Sequence, residues 1–369
     1  MLTLKWVMNV HKDVDICIVG AGPGGALLSL LLVKKGFSVL LVERTNSLAK
    51  AFRGEHLNET GEAILKKHGL FDRVEKLGLL RMETLEYCHN GKTIKTIKAD
   101  PTVGHLGIHV PQAHLLQVIT EEAEQFPNFH LLLNTTVKSL VQDSNGHYTQ
   151  VLALHDGEEL TIDAALIVGA DGRHSTIRKK AGLDTQIYSH GYDLLWARIP
   201  TPANWTPAIK MALVDGMQIS LFTQAKGYVQ IGWNIEKGSY PKLRKQPFAP
   251  FIDKLVQAFP QLTNSVQTHI QSWQYFVLLD VFSSTSENWG KDGVLLIGDA
   301  VHTMTPTGAF GLNAAMEDAD VFASLLDPNT ILQSNFKECA TMRKQQTAKL
   351  REMQVEKEKG FAQNFIVMD

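Results

Sequence analysis

Apolar residues in the N-terminal part of the chain fall into two short runs separated by a longer one. Residues 14–19 and 37–42 predict two strands, and residues 24–35 between them predict a buried helix that ends at Gly36. A strand, a helix and a second strand within about thirty residues make a βαβ unit, which builds parallel sheet. A helix over residues 112–124 and strands over residues 129–137, 151–155 and 164–168 continue this α/β pattern.

The pattern changes after residue 186. Between residues 186 and 282, the runs MALV, MQISLF and YVQIGW are separated by the turn dipeptides Asp215-Gly216 and Lys226-Gly227. Residues 82–98 predict a hairpin that turns at His89-Asn90-Gly91. These segments predict a mostly antiparallel sheet inserted into the α/β domain. The charged stretch 336–359 predicts a C-terminal helix with one solvated face.

The predicted fold class is therefore α/β, with a Rossmann-like domain, an inserted mostly antiparallel β-sheet domain and a C-terminal helix. We assign residues 1–80, 101–185 and 284–369 to the Rossmann-like domain, which includes the C-terminal helix. Residues 81–100 and 186–283 are assigned to the sheet domain.

Composition narrows the classes of function. The chain has 369 residues, is 44% hydrophobic and has a formal net charge of -2, which predicts a large core and argues against a nucleic-acid-binding surface or a polybasic membrane anchor. Cys17, Cys88 and Cys339 are too few for a disulfide framework and too widely spaced for a metal site. The N-terminal residues lack the apolar run of a secretory signal, and the run 26–33 is too short to span a bilayer. A cytoplasmic protein without a transmembrane segment is predicted.

The first predicted strand runs into the sequence DICIVGAGPGG. Gly20, Gly22 and Gly25 match G-x-G-x-x-G, and Glu43 stands about 20 residues further on at the end of the second strand. These glycines permit a tight turn, let a pyrophosphate approach the backbone and let the helix pack close to the strand. Glu43 would bind an unphosphorylated ribose and repel a 2′-phosphate, which disfavours NADP here. The motif alone fits NAD or FAD, and a chance glycine turn is the alternative.

Two more predicted strands each lead to an aspartate. The sequence LIVGADGR places Asp171 at the end of one, and GVLLIGDAVH places Asp299 at the end of the other. Ser175 is expected to begin a helix with Arg178 one turn in, and a long helix is expected over residues 312–326. Taken singly, an Asp-Gly after a strand is more often a turn than a site. With the glycine loop, the three motifs together are specific.

In this order and spacing the motifs resemble those of the class A flavoprotein monooxygenases, the family of para-hydroxybenzoate hydroxylase. The resemblance covers essentially the whole chain and implies an FAD-binding Rossmann-like domain with a substrate-binding sheet domain. The matching positions are Gly20, Gly22 and Gly25, then Gly169-Ala-Asp-Gly172, then Gly298-Asp-Ala-Val-His302 with Pro306, Gly308, Gly311 and Asn313.

The resemblance implies a role for each matching residue along an extended FAD. Gly20, Gly22 and Gly25 would meet the pyrophosphate, and Glu43 with the adjacent Arg44 would lie at the adenosine ribose. Arg53 would approach the pyrophosphate and the flavin, and Gln112 would lie near the same phosphates. Asp171 would support the binding of both FAD and the nicotinamide, and Asp299 would bind the ribityl hydroxyls. A surface salt bridge is the alternative role for Arg53.

The loop before the long helix would lie at the flavin ring. Its expected cofactor-binding residues are Pro306, Gly308, Gly311, Leu312 and Asn313. The helix that begins near Gly311 would direct its N-terminus at flavin N1 and O2, where negative charge develops on reduction. Relatives have G-Q-G before the asparagine, whereas this chain has Phe310 in place of the glutamine. Phe310 is expected to narrow the pocket.

The resemblance also implies the chemistry. No second Rossmann unit is seen, so NADPH or NADH would bind transiently and reduce the flavin. Reduced flavin would react with O2 to give a C4a-hydroperoxide that hydroxylates a small, aromatic or polycyclic substrate. No metal site is expected. The substrate, the choice of nicotinamide, epoxidation or Baeyer–Villiger oxidation instead of hydroxylation, and a monomeric or homodimeric state are left open.

A phenolic substrate would benefit from a base or a proton relay. The candidates are His56, His109, His190, Tyr192 and Arg198, each of which is more often a structural residue than a catalyst. The strands 218–222 and 230–233 are expected to line the substrate pocket, although aromatic residues in a sheet are usually core.

Other proteins share this scaffold. Flavin halogenases have a W-x-W-x-I-P motif that this chain lacks, and geranylgeranyl-reductase-like enzymes match the loop 302–313 less well. A flavin-dependent reductase or oxidase, and a non-catalytic FAD-binding protein, remain the alternatives.

Overall fold

The computed structural model describes residues 10–48, 55–328 and 336–365. The first strands in chain order are β1 (Val10–Val19), β2 (Val39–Val42), β3 (His56–Leu57), β4 (Leu80–Arg81), β5 (Thr84–His89), β6 (Lys92–Lys98), β7 (Ile108–His109), β8 (Phe129–Leu132), β9 (Thr135–Gln142) and β10 (Tyr148–His155). They continue with β11 (Glu158–Gly169), β12 (Gln186–Ser189), β13 (Tyr192–Pro200), β14 (Ile209–Val214), β15 (Met217–Gln224), β16 (Tyr228–Glu236), β17 (Val277–Leu279), β18 (Phe282–Thr285), β19 (Gly290–Lys291) and β20 (Val294–Leu296). The helices are α1 (Pro23–Lys34), α2 (Glu59–Lys67), α3 (Phe71–Leu77), α4 (Gln112–Ala123), α5 (Thr176–Lys180), α6 (Tyr240–Leu243), α7 (Ala249–Ala258), α8 (Thr263–His269), α9 (Phe310–Leu325) and α10 (Phe336–Lys359).

An eight-stranded sheet contains the predicted βαβ unit. Its main path runs β19-β20-β11-β1-β2-β8, and β9 and β10 extend it as an antiparallel meander on β11. Strands β20, β11, β1, β2 and β8 are parallel, so their carboxyl ends lie along one edge. Helix α1 packs against α4 and α9 and is buried from residue 24 to residue 33, because its sequence is apolar on every face. The predicted strand, helix and strand are confirmed.

A seven-stranded sheet has the order β17-β13-β16-β15-β14-β5-β6 and is antiparallel except between β14 and β5. Three predicted turns close its hairpins. Both turn residues have positive φ at Asn90-Gly91, at Asp215-Gly216 and at Lys226-Gly227, which is the type I′ geometry that matches strand twist. Two smaller sheets complete the fold of the described residues. One pairs β12 with β18, and the other has the strand order β3-β7-β4.

The stretch 186–282 contains helices that the strand pattern did not predict. Helices α7 and α8 contribute Phe251, Leu255 and Val266 to a second hydrophobic core on one face of the seven-stranded sheet. Trp233 belongs to this core: it is fully buried, with its ring centroid 5.1 Å from that of Phe276. Within the strand 230–233, which is expected to line the substrate pocket, Trp233 therefore lies on the helix-covered face and does not line it.

Two other boundaries differ from the predictions. Residues 129–137 are two strands, β8 and β9, because Asn134 has a φ of 49° and breaks the extended chain. Helix α9 begins at Phe310 rather than Leu312. Helix α10 has the predicted bounds. Within the described ranges, none of the helices has the length and apolar character needed to cross a membrane.

Candidate functional site

The glycine loop after β1 touches the second motif directly. A Cβ on Gly20 would overlap the carbonyl oxygen of Ala170, and the Ala170 amide donates to the carbonyl of Val19 at 2.8 Å. A Cβ on Gly25 would overlap the carbonyl oxygen of Gly20. Glycine is required at these positions because backbone from two parts of the chain meets there.

The third motif joins the same edge. Gly24 and Gly298 both contact Ala315 of α9, and a Cβ on either would lie 2.9 Å from an Ala315 atom. The buried Arg178 donates from Nη1 to the Ala300 carbonyl at 2.5 Å, which connects the second motif to the third. The three motifs therefore meet at the carboxyl edge of the parallel strands, where α/β sheets bind their ligands.

The space beside the glycine loop suits a dinucleotide. A Cβ on Gly22 would have no atom within 4 Å. Glu43, 5% exposed at the end of β2, accepts from the Ala21 amide at 3.0 Å and from the Thr45 hydroxyl at 2.8 Å. Arg44 is exposed next to it. An acidic side chain held against a glycine loop that is open beside Gly22 is the arrangement expected of a dinucleotide-binding site. Arg53 lies outside the described residues.

Asp171 has a structural role that the sequence did not indicate. Its carboxylate accepts from the Ser175 hydroxyl at 2.5 Å and from the Thr176 and Ile177 amides at 2.6 and 3.1 Å. Burial raises the pKa of Asp171, although these hydrogen bonds oppose the rise. The side chain is directed at the N-terminus of α5, so the structure supports an indirect contribution to a cofactor site.

The segment before α9 has unusual backbone. Gly308 and Ala309 both have positive φ, 76° and 54°, which turns the chain sharply before the helix begins. The position of a Cβ on Gly311 would lie 3.6 Å from Oδ1 of Asp299, so this carboxylate sits beside the N-terminus of α9. Pro306 and Leu312 are half-buried at either end of the turn, and Leu312 packs on the hydrophobic core formed by α1 and the eight-stranded sheet. Four of the five cofactor-binding residues predicted in this loop, Pro306, Gly308, Gly311 and Leu312, thus lie around one turn with Asp299 beside it.

Asn313 connects this turn to strand β3. Its side-chain amide donates to the carbonyls of His56 and Ala309 at 3.0 and 2.9 Å, and its oxygen accepts from the Asn58 amide at 3.1 Å. A Cβ on Gly61 would overlap that oxygen. Asn313 is 2% exposed and serves to position the turn.

Phe310 does not project into open space. Its ring packs with Met304 and Ala314 and against Gly308, and Lys357 of α10 lies 5.3 Å above it. The expectation that Phe310 narrows a pocket is therefore wrong, because its side chain joins the turn to the C-terminal helix.

A largely buried polar cluster joins the three-stranded sheet and α4 to the seven-stranded sheet. Glu55 faces Nε2 of His109 at 3.2 Å, and it accepts from the Gln112 amide at 3.1 Å and from Gln224 at 3.3 Å. The Ala225 amide donates to Nδ1 of His109, which leaves Nε2 as the protonated nitrogen. Sequence reasoning did not identify Glu55 or Gln224, because nothing in their local sequence marks them.

His56 lies near this cluster with its ring against Gly107. Burial, assisted by the neighbouring His109, lowers the pKa of His56 to about 4. The ring is therefore neutral near pH 7 and has little tendency to take up a proton, so it is a poor candidate for a general base.

His190 and Tyr192 both contact Glu358, a residue that the sequence analysis did not identify as a candidate. Glu358 of α10 accepts from the Tyr192 hydroxyl at 3.0 Å and faces Nδ1 of His190 at 2.9 Å. Burial and the Glu358 carboxylate raise the pKa of Tyr192, so Tyr192 remains a hydrogen-bond donor. Arg198 is exposed and lies over the Tyr228 ring, 4.7 Å from its centroid.

The chain matches known proteins over most of its length. The model of the FAD-binding domain family matches residues 13–327. The 6-methylpretetramide 4-monooxygenase of Streptomyces rimosus is 34% identical over 310 residues, which cover 83% of this chain and 73% of that protein. Squalene epoxidase 6 of Arabidopsis thaliana is 25% identical over 339 residues, 87% of this chain but 64% of that protein. This chain is thus similar to part of these longer relatives.

A solved structure has the same fold. PqsL of Pseudomonas aeruginosa, described as a probable FAD-dependent monooxygenase, superimposes with a TM-score of 0.78 at 19% identity, covering 95% of this chain and 96% of that one. The chain belongs to the FAD-binding family of class A flavoprotein monooxygenases, and its cofactor is FAD. The glycine loop, Glu43 and the turn before α9 fit that cofactor. Across the part of the chain that the structure describes, no cluster of His, Cys, Asp or Glu could hold a metal ion.

Proposed function

We propose that this protein uses FAD, O2 and NADH or NADPH to insert one oxygen atom into a flat aromatic or polycyclic substrate. The observation that carries the proposal is the meeting of the three motif loops at one sheet edge, with the seven-stranded sheet facing the turn before α9. Two relatives that match most of this chain are named a monooxygenase and an epoxidase.

FAD would lie extended along that edge. Gly22 would approach the pyrophosphate, Glu43 the adenosine ribose, Asp299 the ribityl chain and Gln112 the phosphates. The N-terminus of α9 would face the reduced ring, where its unpaired amides and dipole favour negative charge by about 1 kcal/mol. Asp171 and Asn313 would act by holding α5 and the turn in place.

The substrate would bind on the open face of the seven-stranded sheet. Alternate residues along a strand point to opposite faces, so Tyr192 and Trp196 of β13 share the face opposite the second core. Tyr192 contacts Thr307 in the turn before α9, and Gln224 on the same face reaches Glu55. This face therefore lies towards the FAD-binding loops.

An aromatic platform occupies the middle of that face. Gly232 pairs with Trp196 across the strands, and a Cβ there would lie 2.9 Å from the Trp196 ring. The Trp196 ring therefore lies close on the sheet, and Phe222 is 6.1 Å away between ring centroids. Two half-buried aromatic rings bordered by Ser220 and Gln230 suit a flat substrate with a few polar groups.

The bound flavin supplies the oxygen transfer, and the chain supplies binding, orientation and exclusion of water. Tyr192 stays protonated and donates its hydroxyl proton to Glu358, which holds the tyrosine beside Thr307. We propose that residues 1–80, 101–185 and 284–369 bind FAD and that residues 81–100 and 186–283 bind the substrate. Cytoplasmic location and a monomeric or homodimeric state remain predictions from the sequence.

The test is spectroscopic and chemical. The purified protein is expected to be yellow, and its flavin should be bleached by NADH or NADPH faster when a suitable aromatic compound is present. With isotopically labelled O2, one labelled oxygen atom should appear in the product. A protein that holds FAD but is not reduced by either nicotinamide with any compound of a broad phenol, quinolone and polyketide panel would instead be a binder or another type of flavoenzyme.

A further inference from the structure

The last turns of α10 hold the turn before α9. Gln354, fully buried, donates from its side-chain amide to the carbonyls of Thr305 and Thr307 at 2.8 and 2.6 Å. Glu358 accepts on Oε1 from the hydroxyls of the same two threonines at 2.8 and 2.9 Å. Thr305 and Thr307, the residues on either side of Pro306, are thus hydrogen-bonded to α10 through both their side chains and their carbonyl groups.

The same carboxylate also binds the substrate-facing sheet. Oε1 of Glu358 accepts from Tyr192, and Oε2 faces Nδ1 of His190, whose Nε2 lies 2.8 Å from the Ser283 hydroxyl. Hydrogen bonds to a carboxylate are stronger than neutral ones and are directional. Glu358 therefore fixes the distance between the turn, the sheet and the C-terminal helix.

We propose that Glu358 is a positioning residue for the flavin site, which holds Thr305 and Thr307 so that Pro306 and the N-terminus of α9 are aligned for FAD. This inference rests on the proposed function in one respect only, namely that the turn before α9 faces the flavin.

A general role in anchoring the helix would be a different explanation. Helix α10 has a separate anchor at Arg343, which is fully buried and donates from Nε to Asp318 of α9 at 2.8 Å. That anchor is about four turns from Glu358 along the helix. Removing the Glu358 carboxylate should therefore leave α10 folded while it releases the turn and the contacts with Tyr192 and His190.

The experiment compares three variants of the full chain. Glu358→Ala removes the acceptor, Glu358→Gln keeps an oxygen for the three hydroxyls, and Glu356→Ala is the control because Glu356 is exposed on the same helix. Backbone amide exchange over residues 303–311 is measured in protein stripped of FAD, and FAD affinity and the visible circular dichroism of bound FAD are measured afterwards.

For Glu358→Ala we expect faster amide exchange over residues 303–311, unchanged exchange around Arg343, about ten-fold weaker FAD binding and an altered flavin dichroism band. Glu358→Gln should restore most of each property, and Glu356→Ala should match the parent protein. Unchanged exchange, or faster exchange with unaltered FAD affinity and dichroism, would overturn the proposal.

If Glu358→Ala does not fold, the double variant Thr305→Val with Thr307→Val removes the two hydroxyl donors at nearly constant volume. It should give the same pattern, and parent-like behaviour would overturn the proposal. Failure of the proposed function is separately visible, because the parent protein would then bind FAD without substrate-stimulated reduction while the exchange result stands on its own.

Discussion

Arg343 and Asp318 form an ion pair in which neither side chain is exposed to solvent, with Nε and Oδ1 2.8 Å apart. The second carboxylate oxygen accepts from the Gly298 amide at 2.8 Å and lies 2.6 Å from Nε2 of His302. Burial alone would raise the pKa of Asp318, but His302 and Arg343 hold it below its usual value. The pair thus fixes α10, α9 and the loop that carries Asp299 relative to one another.

Replacing Arg343 with alanine should lower the free energy of unfolding by about 3–5 kcal/mol, because the Asp318 carboxylate would stay buried with one partner fewer. Urea denaturation followed by far-ultraviolet circular dichroism measures this change. Lys349→Ala, on an exposed position of the same helix, is the control and should change stability by less than about 0.5 kcal/mol. A comparable loss in both variants would contradict the importance of the pair.

Replacing Asp299 with alanine should largely abolish FAD retention while the protein stays soluble. The carboxylate lies beside the N-terminus of α9, where a ribityl chain would need an acceptor. The ratio of flavin to protein after gel filtration measures retention. Asp253→Ala, an exposed position on α7, should retain flavin like the parent. Full occupancy in the Asp299 variant would remove this residue from the FAD site.

Gly232→Ala tests the aromatic platform. The new methyl group would lie 2.9 Å from the Trp196 ring and 2.7 Å from the Ser220 hydroxyl, so the ring must lift from the sheet. We expect KM for the aromatic substrate to rise about ten-fold with a smaller change in FAD affinity, together with a shift in tryptophan emission. A KM equal to that of the parent, with the emission shifted, would place the substrate elsewhere.

His56 should make stability depend on pH. Its pKa is about 4 in the folded protein and about 6.5 when unfolded, so the unfolded chain binds more protons between these values. The stabilisation is complete above about pH 6.5 and is lost as pH falls towards 4, by up to about 1.4 kcal/mol per pH unit. His56→Gln should flatten this part of the curve in urea titrations, and the exposed His130→Gln should not. Parallel curves for His56→Gln and the parent would show that His56 is not desolvated.

The elements and turns that depend on nearby residues in the sequence could be predicted from it. The βαβ unit, the three type I′ turns and the bounds of α10 follow from apolar runs, Gly and Asn positions and a charged stretch without proline. The glycine loop was identifiable from its G-x-G-x-x-G spacing. The folded chain gives the physical reason, because Gly20 has a φ of 107° and backbone closely approaches both Gly20 and Gly25.

The side-chain partners were not predictable from the sequence. Arg343 and Glu358 lie in a charged stretch that would ordinarily be solvated. Only the folded chain shows that Arg343 is buried, and that Glu358 accepts hydrogen bonds from three hydroxyl groups and contacts His190. Trp233 and Phe310 were misplaced for a related reason. Which face of a strand or turn is covered depends on helices α7 and α10, whose positions are set by long-range packing.

The connection between Glu358 and the turn at residues 305–307 also bears on the order of events during synthesis. The glycine loop leaves the ribosome early, and the parallel sheet around it needs only residues up to 296. The two residues that secure the turn, Gln354 and Glu358, emerge only after this sheet is complete. We expect a nascent chain to form a place for the ADP half of the cofactor before it can hold the flavin ring, so that tight capture of the whole molecule comes after the C-terminal helix has docked.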